Sequence, residues 1–390
     1  MPKQMKKRHL LDYSILIPYL ILCSVGIIMV YSATSVSLAN LNLNPMSTAI
    51  NQGVFWVLSL VAITLIYKMK TKVFQNKRFI LSILSIIFVL LLLVRFTPLG
   101  QVRGGAKGWI IIGSFSMQPA EYLKIMIVWY LAYILARRQT TIKKDFWGVV
   151  LHPLTITGFM IGLVLIQPDV GNAAILTLIT LVMVLASGTN WFYSVLVGGI
   201  GVVGSIGLIQ LFASVGQKIF PANFQYIARR FEVVHNPFID EKDAGHQMVN
   251  SYYAIFNGGL FGRGLGNSIQ KKGYLPEAHT DFMFSIVVEE LGLIVSLILL
   301  GLLVFLIARI FLVGVRAKDP FNALMCIGLG AMFLIQLFIN LGGILGIIPL
   351  TGITFPFLSQ GGNSLLILSV GVGFALNISA DEKRRRFEQQ

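Results

Sequence analysis

Long apolar stretches recur along the chain and alternate with short polar segments. Ten of these stretches approach the roughly 20 residues that an α-helix needs to cross a lipid bilayer. They are residues 13–36, 53–67, 79–94, 119–135, 149–166, 173–186, 192–212, 282–311, 321–344 and 365–378. The eighth is long enough to tilt or to extend beyond the membrane. The pattern predicts an all-α, polytopic membrane protein built as a bundle of ten transmembrane helices.

Lysine and arginine are distributed unevenly between the two sides of this predicted bundle. With the N-terminus inside, the inner segments hold most of the 31 Lys and Arg residues, whereas the short outer segments 37–50, 167–171 and 346–363 hold none. The positive-inside rule therefore puts both termini in the cytoplasm, with residues 380–390 as a cytoplasmic tail. Residues 213–280 become a long outer loop between helices seven and eight, within a single integral membrane domain covering residues 1–390.

Composition supports the same class of protein. Of the 390 residues, 56% are hydrophobic and only 12% are charged, a balance that no soluble domain of this size needs to build one core. The net charge of +15 mainly follows from membrane topology, so we do not expect nucleic-acid binding. Cys23 and Cys326 fall inside apolar stretches, where they are expected to act as small buried hydrophobes.

The most informative charged residue is Asp281, which stands just before a long apolar run. An ionisable side chain at a membrane boundary is costly and needs a functional or structural reason. Asp281 is expected at the outer mouth of a spanning helix, where water and a lipid headgroup can both reach it, so we predict chemistry on a lipid-linked substrate. Glu289 and Glu290 lie about two turns deeper and must be paired, protonated or facing a polar cavity.

Two further motifs put charges at the membrane boundary. In QPAEYLK, Glu121 and Lys124 are three residues apart and can share a helix face, either as an internal salt bridge or as part of a substrate site. In QPDVG, Asp169 either caps the sixth helix or contributes to the same site. The sequence alone leaves both alternatives open.

Basic residues also cluster on the outer side, where topology does not require them. They are either solvated charges of translocated loops or a receptor for an anionic group such as a pyrophosphate. Under the second interpretation, the predicted substrate-binding residues are Arg103, Lys107, Lys124, Arg229, Arg230, Lys271 and Lys272.

The segment 349–364 between the ninth and tenth helices is uncharged and interrupted by Pro and Gly. Such a segment is expected to re-enter as irregular backbone, which is tolerated only beside protein or a water-filled cavity. It predicts an outer polar cavity in which Ser359 and Gln360 contact substrate. His279 is a further candidate that could tune Asp281, but the five His residues show no spacing typical of a metal site.

Several glycines lie on the predicted ninth helix and directly after it. Small residues permit close contact between membrane helices. These glycines are Gly328, Gly330, Gly342, Gly343 and Gly346. They mark either a lateral contact with a partner or packing inside the bundle.

Taken together, four motifs resemble the SEDS family of shape, elongation, division and sporulation proteins over essentially the whole chain. They are QPAEYLK, QPDVG, GLGNSIQKKGYLPEAHTDFMFSIVVEELG and IPLTGITFPFLSQGGNS. The resemblance is greater to the division members from low-GC Gram-positive bacteria than to the elongation members. Two positions depart from the family pattern: Gly108 stands where many members have a basic residue before Trp109, and Gln360 stands where Tyr is common.

The resemblance implies a peptidoglycan glycosyltransferase that polymerises lipid II outside the cytoplasmic membrane. It further implies a class B penicillin-binding transpeptidase and other division proteins as partners, and a place at the division septum. The essential aspartate of the family maps onto Asp281, and its other cavity positions map onto Glu121, Lys124 and Asp169. No cofactor is expected from the sequence, and assistance by a divalent cation is left open. A lipid II flippase and a non-catalytic division scaffold are the alternative functions.

Overall fold

The computed structural model describes residues 7–103, 106–112, 115–142, 144–189, 237–240 and 245–388, and the isolated positions 192, 195, 196, 199, 200 and 234. Ten helices longer than ten residues lie in this part of the chain. They are α1 (Tyr13–Asn40), α2 (Ser47–Lys68), α3 (Lys77–Phe96), α4 (Pro119–Arg137), α5 (Phe146–Ile166), α6 (Val170–Ala186), α7 (His246–Gly258), α8 (Met283–Arg316), α9 (Pro320–Ile344) and α10 (Gly362–Glu388). All except α6 and α7 are long and apolar enough to span a membrane, and α6 is a shorter apolar helix.

Each predicted span except one corresponds to an observed helix. The exception is the seventh, residues 192–212, which lies almost entirely outside the described residues, so the count of ten spans stays a prediction. The helix α7 is a different element, within the predicted outer loop 213–280. The helix α10 continues to Glu388, so most of the predicted tail 380–390 is a helical extension of the last span.

Local chemistry explains where several helices begin. The side chain of Asp12 accepts a hydrogen bond from the main-chain N–H of Ser14, and that of Asp145 accepts one from Gly148. Asp319 does the same for two N–H groups at the start of α9. These carboxylates satisfy donors that a helix N-terminus leaves free.

Burial separates a central group of helices from a peripheral one. In their most apolar windows, 83% of the residues of α4, 72% of α9 and 89% of α10 are buried in protein, against 22% for α2 and 28% for α3. The first three helices therefore form the centre of the bundle, and α2 and α3 present most of their side chains outward. Two of the four motifs adjoin these central helices: QPAEYLK opens α4, and IPLTGITFPFLSQGGNS connects α9 to α10.

A small antiparallel sheet precedes α4, and the all-α prediction did not include it. Its strands are β1 (Gly100–Arg103), β2 (Ala106–Ile112) and β3 (Phe115–Met117), in the order β1-β2-β3. Gln101 pairs with Trp109, and Ile111 pairs with Ser116. The Asn363 amide at the start of α10 donates to the main-chain oxygen of Ser116 at 2.6 Å, which ties the sheet to the centre of the bundle.

The helix α8 is broken at Gly292, whose dihedral angles of φ 82° and ψ 165° are accessible essentially only to glycine. In an unbroken helix, the N–H groups of Leu293 and Ile294 would donate to the oxygens of Glu289 and Glu290. Instead, those oxygens accept from Arg263 (2.9 Å) and Gly264 (3.0 Å).

The donors released by the break are satisfied by the segment that follows α7. Leu293 donates to Gly259 O at 3.0 Å, and Ile294 donates to Leu260 O at 3.3 Å. The two chain segments thus exchange hydrogen-bond partners that each would otherwise find within its own helix. We call this arrangement, formed by residues 259–264 and 289–294, the exchange junction.

Glycines permit the close backbone contact at the exchange junction. A Cβ on Gly258 would collide with Val288 O, one on Gly262 with Glu290 O, and one on Gly292 with Gly262 N. Gly262 also has a positive φ of 80°. The segment that contains Gly258 and Gly262 is therefore a turn packed closely against α8.

The glycines considered as a lateral contact pack inside the bundle. A Cβ on Gly328 would meet Met183 and Val128, and one on Gly330 would meet Phe311. Of the two interpretations that the sequence left open, internal packing therefore accounts for these two positions.

Candidate functional site

Asp281 lies half-buried, two residues before the start of α8. Its main-chain oxygen accepts a hydrogen bond of 2.7 Å from the side-chain amide of Asn340 on α9. A Cβ built on Gly352 would be 3.6 Å from Asp281 Oδ2, so the irregular segment after α9 passes directly beside the carboxylate. Asp281 is thus held at a helix entrance between α9 and that segment.

The α9–α10 loop, residues 345–361, is the irregular element predicted at the outer face. Its apolar side chains Ile353, Phe355, Phe357 and Leu358 are buried, and Phe357 has a positive φ of 65°. The loop therefore runs through protein rather than over the surface, which is the setting in which irregular backbone is tolerated at membrane depth.

Hydrogen bonds connect this loop to the segment around Asp281. The N–H of Gln360 donates to His279 O at 2.9 Å. Asn340 donates to Ile353 O at 2.7 Å as well as to Asp281 O, so one amide bridges the two segments. The position of the carboxylate is therefore coupled to the conformation of the loop.

Glu121 and Lys124 form a buried ion pair on α4, with Lys124 Nζ 2.7 Å from Glu121 Oε1 and the lysine side chain only 1% exposed. Lys124 also donates to Gln336 Oε1 at 3.3 Å, and Gln336 donates to Thr354 O in the α9–α10 loop at 3.2 Å. The second oxygen, Glu121 Oε2, is buried without a hydrogen-bond partner among the described residues. The salt bridge predicted as one alternative is present, and it also contacts the loop beside Asp281.

Asp169 caps α6, as one of the two sequence interpretations predicted: its Oδ1 accepts from Asn172 N at 3.2 Å. Its Oδ2 accepts from Gln118 Nε2 at 2.7 Å and from Asn172 Nδ2 at 2.9 Å. Burial raises the pKa of the Asp169 carboxyl, and the hydrogen bonds from Asn172 offset only part of that effect. A Cβ on Gly108 would be 3.8 Å from Asp169 Oδ2, so the glycine before Trp109 leaves space next to this carboxylate.

The loop also reaches Asp169. A Cβ on Gly171 would lie 2.8 Å from Thr351 O, which puts the first turn of α6 against the α9–α10 loop. The loop thus contacts, directly or through one side chain, the segments that carry Asp281, Lys124 and Asp169. The structure therefore brings these separate sequence motifs together around a single element.

Two predicted substrate-binding residues, Ser359 and Gln360, make hydrogen bonds within the protein. Ser359 accepts a hydrogen bond at Oγ from Phe355 N at 2.9 Å and is 4% exposed. Gln360 uses its N–H on His279, while its buried Oε1 has no hydrogen-bond partner in the described part of the chain. His279 is itself partly exposed, with Nε2 4.0 Å from Glu277 Oε2.

The predicted basic residues are divided by the structure. Lys271 Nζ forms a buried ion pair of 2.6 Å with Glu290 Oε1, and its side chain is 1% exposed, so its charge is already used within the protein. Lys107 is half-buried and donates to the main-chain oxygens of Arg95 and Thr97 at the end of α3, both at 3.4 Å. Lys272 is exposed at the end of a short 3-10 turn.

Three other predicted basic residues lie partly or wholly outside the described residues. Arg103 pairs with Ala106 across the β1–β2 ladder, and its side chain lies outside the described residues. Arg229 and Arg230 lie outside the described residues altogether. Their predicted contact with substrate stays a prediction.

Glu289 and Glu290 have the partners that their depth requires. Glu289 accepts from Ser268 Oγ and from the N–H groups of Ile269 (3.0 Å) and Gln270 (3.3 Å). The sequence predicted that both glutamates need partners, but it did not identify them, because most of these partners come from the outer loop and one, Ser32, comes from α1. Among the described residues, no three His, Cys, Asp or Glu side chains form a group that could hold a metal ion.

A family model described as "Cell cycle protein", covering FtsW, RodA and SpoVE, matches residues 13–384. This chain belongs to the FtsW/RodA/SpoVE family. A Lactococcus lactis subsp. lactis (strain IL1403) protein named "Probable peptidoglycan glycosyltransferase FtsW" is 48% identical, over 99% of this chain and 96% of its own length. A Bacillus subtilis (strain 168) protein of the same name is 37% identical, over 97% of this chain and 92% of its own length.

Solved structures extend the likeness to the fold. A chain from "Structural coordination of polymerization and crosslinking by a peptidoglycan synthase complex" superposes with a TM-score of 0.74 at 25% identity, covering 95% of this chain and 98% of its own. The Thermus thermophilus Rod shape determining protein RodA gives a TM-score of 0.66 at 25% identity, covering 95% and 97%. The predicted family and the predicted multi-pass helical membrane fold are thereby confirmed.

Proposed function

We propose that this protein is a peptidoglycan glycosyltransferase that polymerises lipid II into glycan strands at the outer face of the cytoplasmic membrane, during septal cell division. The names of its relatives from Lactococcus lactis and Bacillus subtilis support this activity. The observation with most weight is the position of Asp281, half-buried at a helix entrance beside the irregular α9–α10 loop. A carboxylate there can meet a lipid-linked sugar at the membrane boundary.

In this proposal Asp281 is the general base. It accepts the proton of the acceptor sugar 4-hydroxyl while that oxygen attacks the anomeric carbon of the lipid-linked donor. The new glycosidic C–O bond forms as the donor C–O bond to pyrophosphate breaks, and undecaprenyl pyrophosphate leaves with the bonding electrons. General-base catalysis of this kind is typically worth about 10²- to 10⁴-fold in rate.

The leaving pyrophosphate gains negative charge and needs cationic partners. Lys272 is exposed and precedes Asp281 by nine residues in the chain, and Arg103, Lys107, Arg229 and Arg230 complete the proposed set. Lys124 and Lys271 are less suited to direct binding, because each is buried in an ion pair with a glutamate. Contact of Glu121 and Asp169 with substrate is retained as part of the proposed cavity.

The decisive experiment is polymerisation by purified protein in detergent, with lipid II as the sole substrate and glycan products resolved by gel electrophoresis. We expect glycan strands, and their loss in Asp281→Asn. Detergent micelles provide no second compartment, so a flippase would give no product there but would move lipid II across reconstituted vesicles. A non-catalytic scaffold would do neither and would still bind its division partners.

We further propose a class B penicillin-binding transpeptidase as partner. Support comes from the similar chain found in a structure concerned with polymerisation and crosslinking by a peptidoglycan synthase complex. A partner that contacts the outer loop and holds its basic residues close to Asp281 should raise turnover. Initial polymerisation rates with and without saturating cognate transpeptidase test this: equal rates would refute activation even if the proteins bind.

A further inference from the structure

A buried ion pair lies where the outer loop meets the broken helix α8. Lys271 Nζ is 2.6 Å from Glu290 Oε1, and the two side chains are 1% and 0% exposed. Ser32 on α1 donates to Glu290 Oε2 at 2.6 Å and accepts from Lys271 Nζ at 2.9 Å. The contact therefore joins α1, α8 and the outer loop at one point.

Glu290 is also bound by the main chain of the outer loop. Gly266 N donates to its Oε2 at 3.1 Å, and Ser268 N donates to its Oε1 at 3.4 Å. Glu290 is therefore surrounded by donors, with Lys271 as the cation that balances its buried charge. Removing only one partner of such a pair would leave an uncompensated charge in the protein.

Two structural routes lead from this contact to Asp281. Glu290 stands near the end of the first half of α8, and Asp281 stands just before the start of the same half-helix, which is cut off from the rest of α8 at Gly292. The second route starts at Lys271, from which the chain runs through residues 272–280 directly to Asp281. Both ends of the segment that carries Asp281 are thus attached to one ion pair.

The exchange junction strengthens the first route. Its hydrogen bonds fix the end of the half-helix to residues 259–264 of the same outer loop. Because an α-helix is stiff over so short a length, a displacement at Glu290 must be transmitted to its beginning. No contact between Lys271 and a substrate is needed for this effect.

We propose that Lys271 and Glu290 are positioning residues that fix Asp281 against the α9–α10 loop. The catalytic consequence rests on the proposed function of Asp281, whereas the structural consequence does not. A displacement of about 1 Å at a reacting group can cost about 100-fold in rate. The pair is therefore expected to control kcat, while a substrate-binding lysine would mainly control KM.

The test uses the full-length protein in detergent. The main variant is the neutral pair Lys271→Met with Glu290→Gln, which leaves neither position with an unpaired charge and retains a polar side chain for Ser32 and Gly266. Lys271→Arg retains the ion pair as the conservative variant. The matched control is Asp12→Asn with Lys383→Met, which neutralises another ion pair (3.2 Å) that joins the far ends of α1 and α10.

The first readout is hydrogen exchange of the peptide covering residues 272–282. We expect faster exchange in the neutral pair than in the wild type, Lys271→Arg or the control pair. Equal exchange in all four proteins would overturn the proposal, whether or not the protein polymerises lipid II. This readout therefore separates a failure of the positioning role from a failure of the proposed function.

The second readout is steady-state polymerisation of lipid II. In the neutral pair we expect kcat to fall by about 10- to 100-fold with little change in KM. Lys271→Arg should retain most of kcat, and the control pair should keep the wild-type kcat even if it unfolds at a lower temperature. A raised KM with unchanged kcat would overturn the proposal in favour of direct substrate binding by Lys271.

Discussion

Asn340 donates a hydrogen bond of 2.7 Å from its side-chain amide to the main-chain oxygen of Asp281. The same amide donates to Ile353 O, also at 2.7 Å. Asn340, near the end of α9, thus fixes the backbone of the proposed base and of the loop beside it. The site depends on this polar side chain although it carries no charge.

Replacing the proposed base should abolish polymerisation without unfolding the protein. Asp281→Asn is nearly isosteric but cannot accept a proton, so we expect turnover of lipid II to fall by about 10²- to 10⁴-fold. The measurement is the initial rate of glycan formation by purified protein, with gel filtration as the check on folding. Glu388→Gln makes the same chemical change at an exposed position and should be fully active.

Replacing Asn340 should affect both stability and activity. Asn340→Leu leaves the oxygens of Asp281 and Ile353 without this donor, which should cost about 1–3 kcal/mol of stability. Because Asp281 then loses a fixed backbone position, kcat should fall more than KM rises. Thermal unfolding in detergent and steady-state kinetics measure the two effects. If the variant is destabilised but keeps the wild-type kcat, the prediction that Asn340 positions Asp281 for catalysis is wrong.

The Glu121–Lys124 pair should behave as a buried ion pair in a double-mutant cycle. Lys124→Met leaves Glu121 as an unpaired buried charge, and we expect a loss of about 3–5 kcal/mol in unfolding free energy. Adding Glu121→Gln should recover most of this loss, because no unpaired charge then remains. Unfolding of the two single variants and the double variant gives the coupling. Strictly additive losses would show that the two charges do not interact.

The break in α8 can be tested with two glycines of the same helix. Gly292→Ala puts a Cβ where backbone atoms of Phe261 and Gly262 lie and forces a conformation reserved for glycine, so strain of about 1–3 kcal/mol is expected. Gly301→Ala meets nothing within 4 Å and should be neutral or stabilising by about 0.5–1 kcal/mol. Thermal unfolding of both variants makes the comparison. If Gly292→Ala and Gly301→Ala unfold at the same temperature, the broken conformation of α8 at Gly292 is contradicted.

Acid should weaken the end of the bundle at which α1 begins, through Asp12. Burial alone would raise the pKa of this carboxyl, but a hydrogen bond from Ser379 and the charges of Lys383 and Arg309 bring it below the ordinary value. A carboxyl whose pKa is lowered by folding stabilises the protein above its unfolded pKa of about 3.9. That contribution is lost as the pH falls through the folded value.

The corresponding experiment compares wild type with Asp12→Asn. At neutral pH the wild type should unfold at a higher temperature, since only it has the ionised carboxyl. As the pH falls below about 4 this advantage should shrink, because the carboxyl becomes protonated in both states. A difference in melting temperature that does not change with pH would exclude ionisation of Asp12 as its cause.

Apolar length was sufficient to predict most of the helices, because crossing a bilayer imposes a length on each span. The strands β1 to β3 gave no comparable signal, because they are only three to seven residues long and lie between two predicted spans. The break at Gly292 was also missed. A single glycine in a long apolar helix is common, and only the packing of residues 259–264 reveals its conformation.

Site candidates could be chosen from sequence where the free-energy cost of placing a charged side chain depends only on its position relative to the membrane. Asp281, Glu121 and Asp169 were recognised because carboxylates at membrane boundaries demand partners. The choice of partner depends on tertiary contacts, and there the sequence was less informative. Lys271 and Lys272 are adjacent and chemically identical, yet one is buried against Glu290 and the other is exposed.

The exchange junction has a consequence for the energetics of opening the outer loop. Its four main-chain hydrogen bonds replace four others that α7 and α8 would make within themselves if each continued as a regular helix. Withdrawal of residues 259–264 therefore need not leave any of these groups unpaired, provided that both helices close up. The number of backbone hydrogen bonds is the same in the two arrangements. The free-energy difference between them is therefore decided by side-chain contacts and glycine conformations.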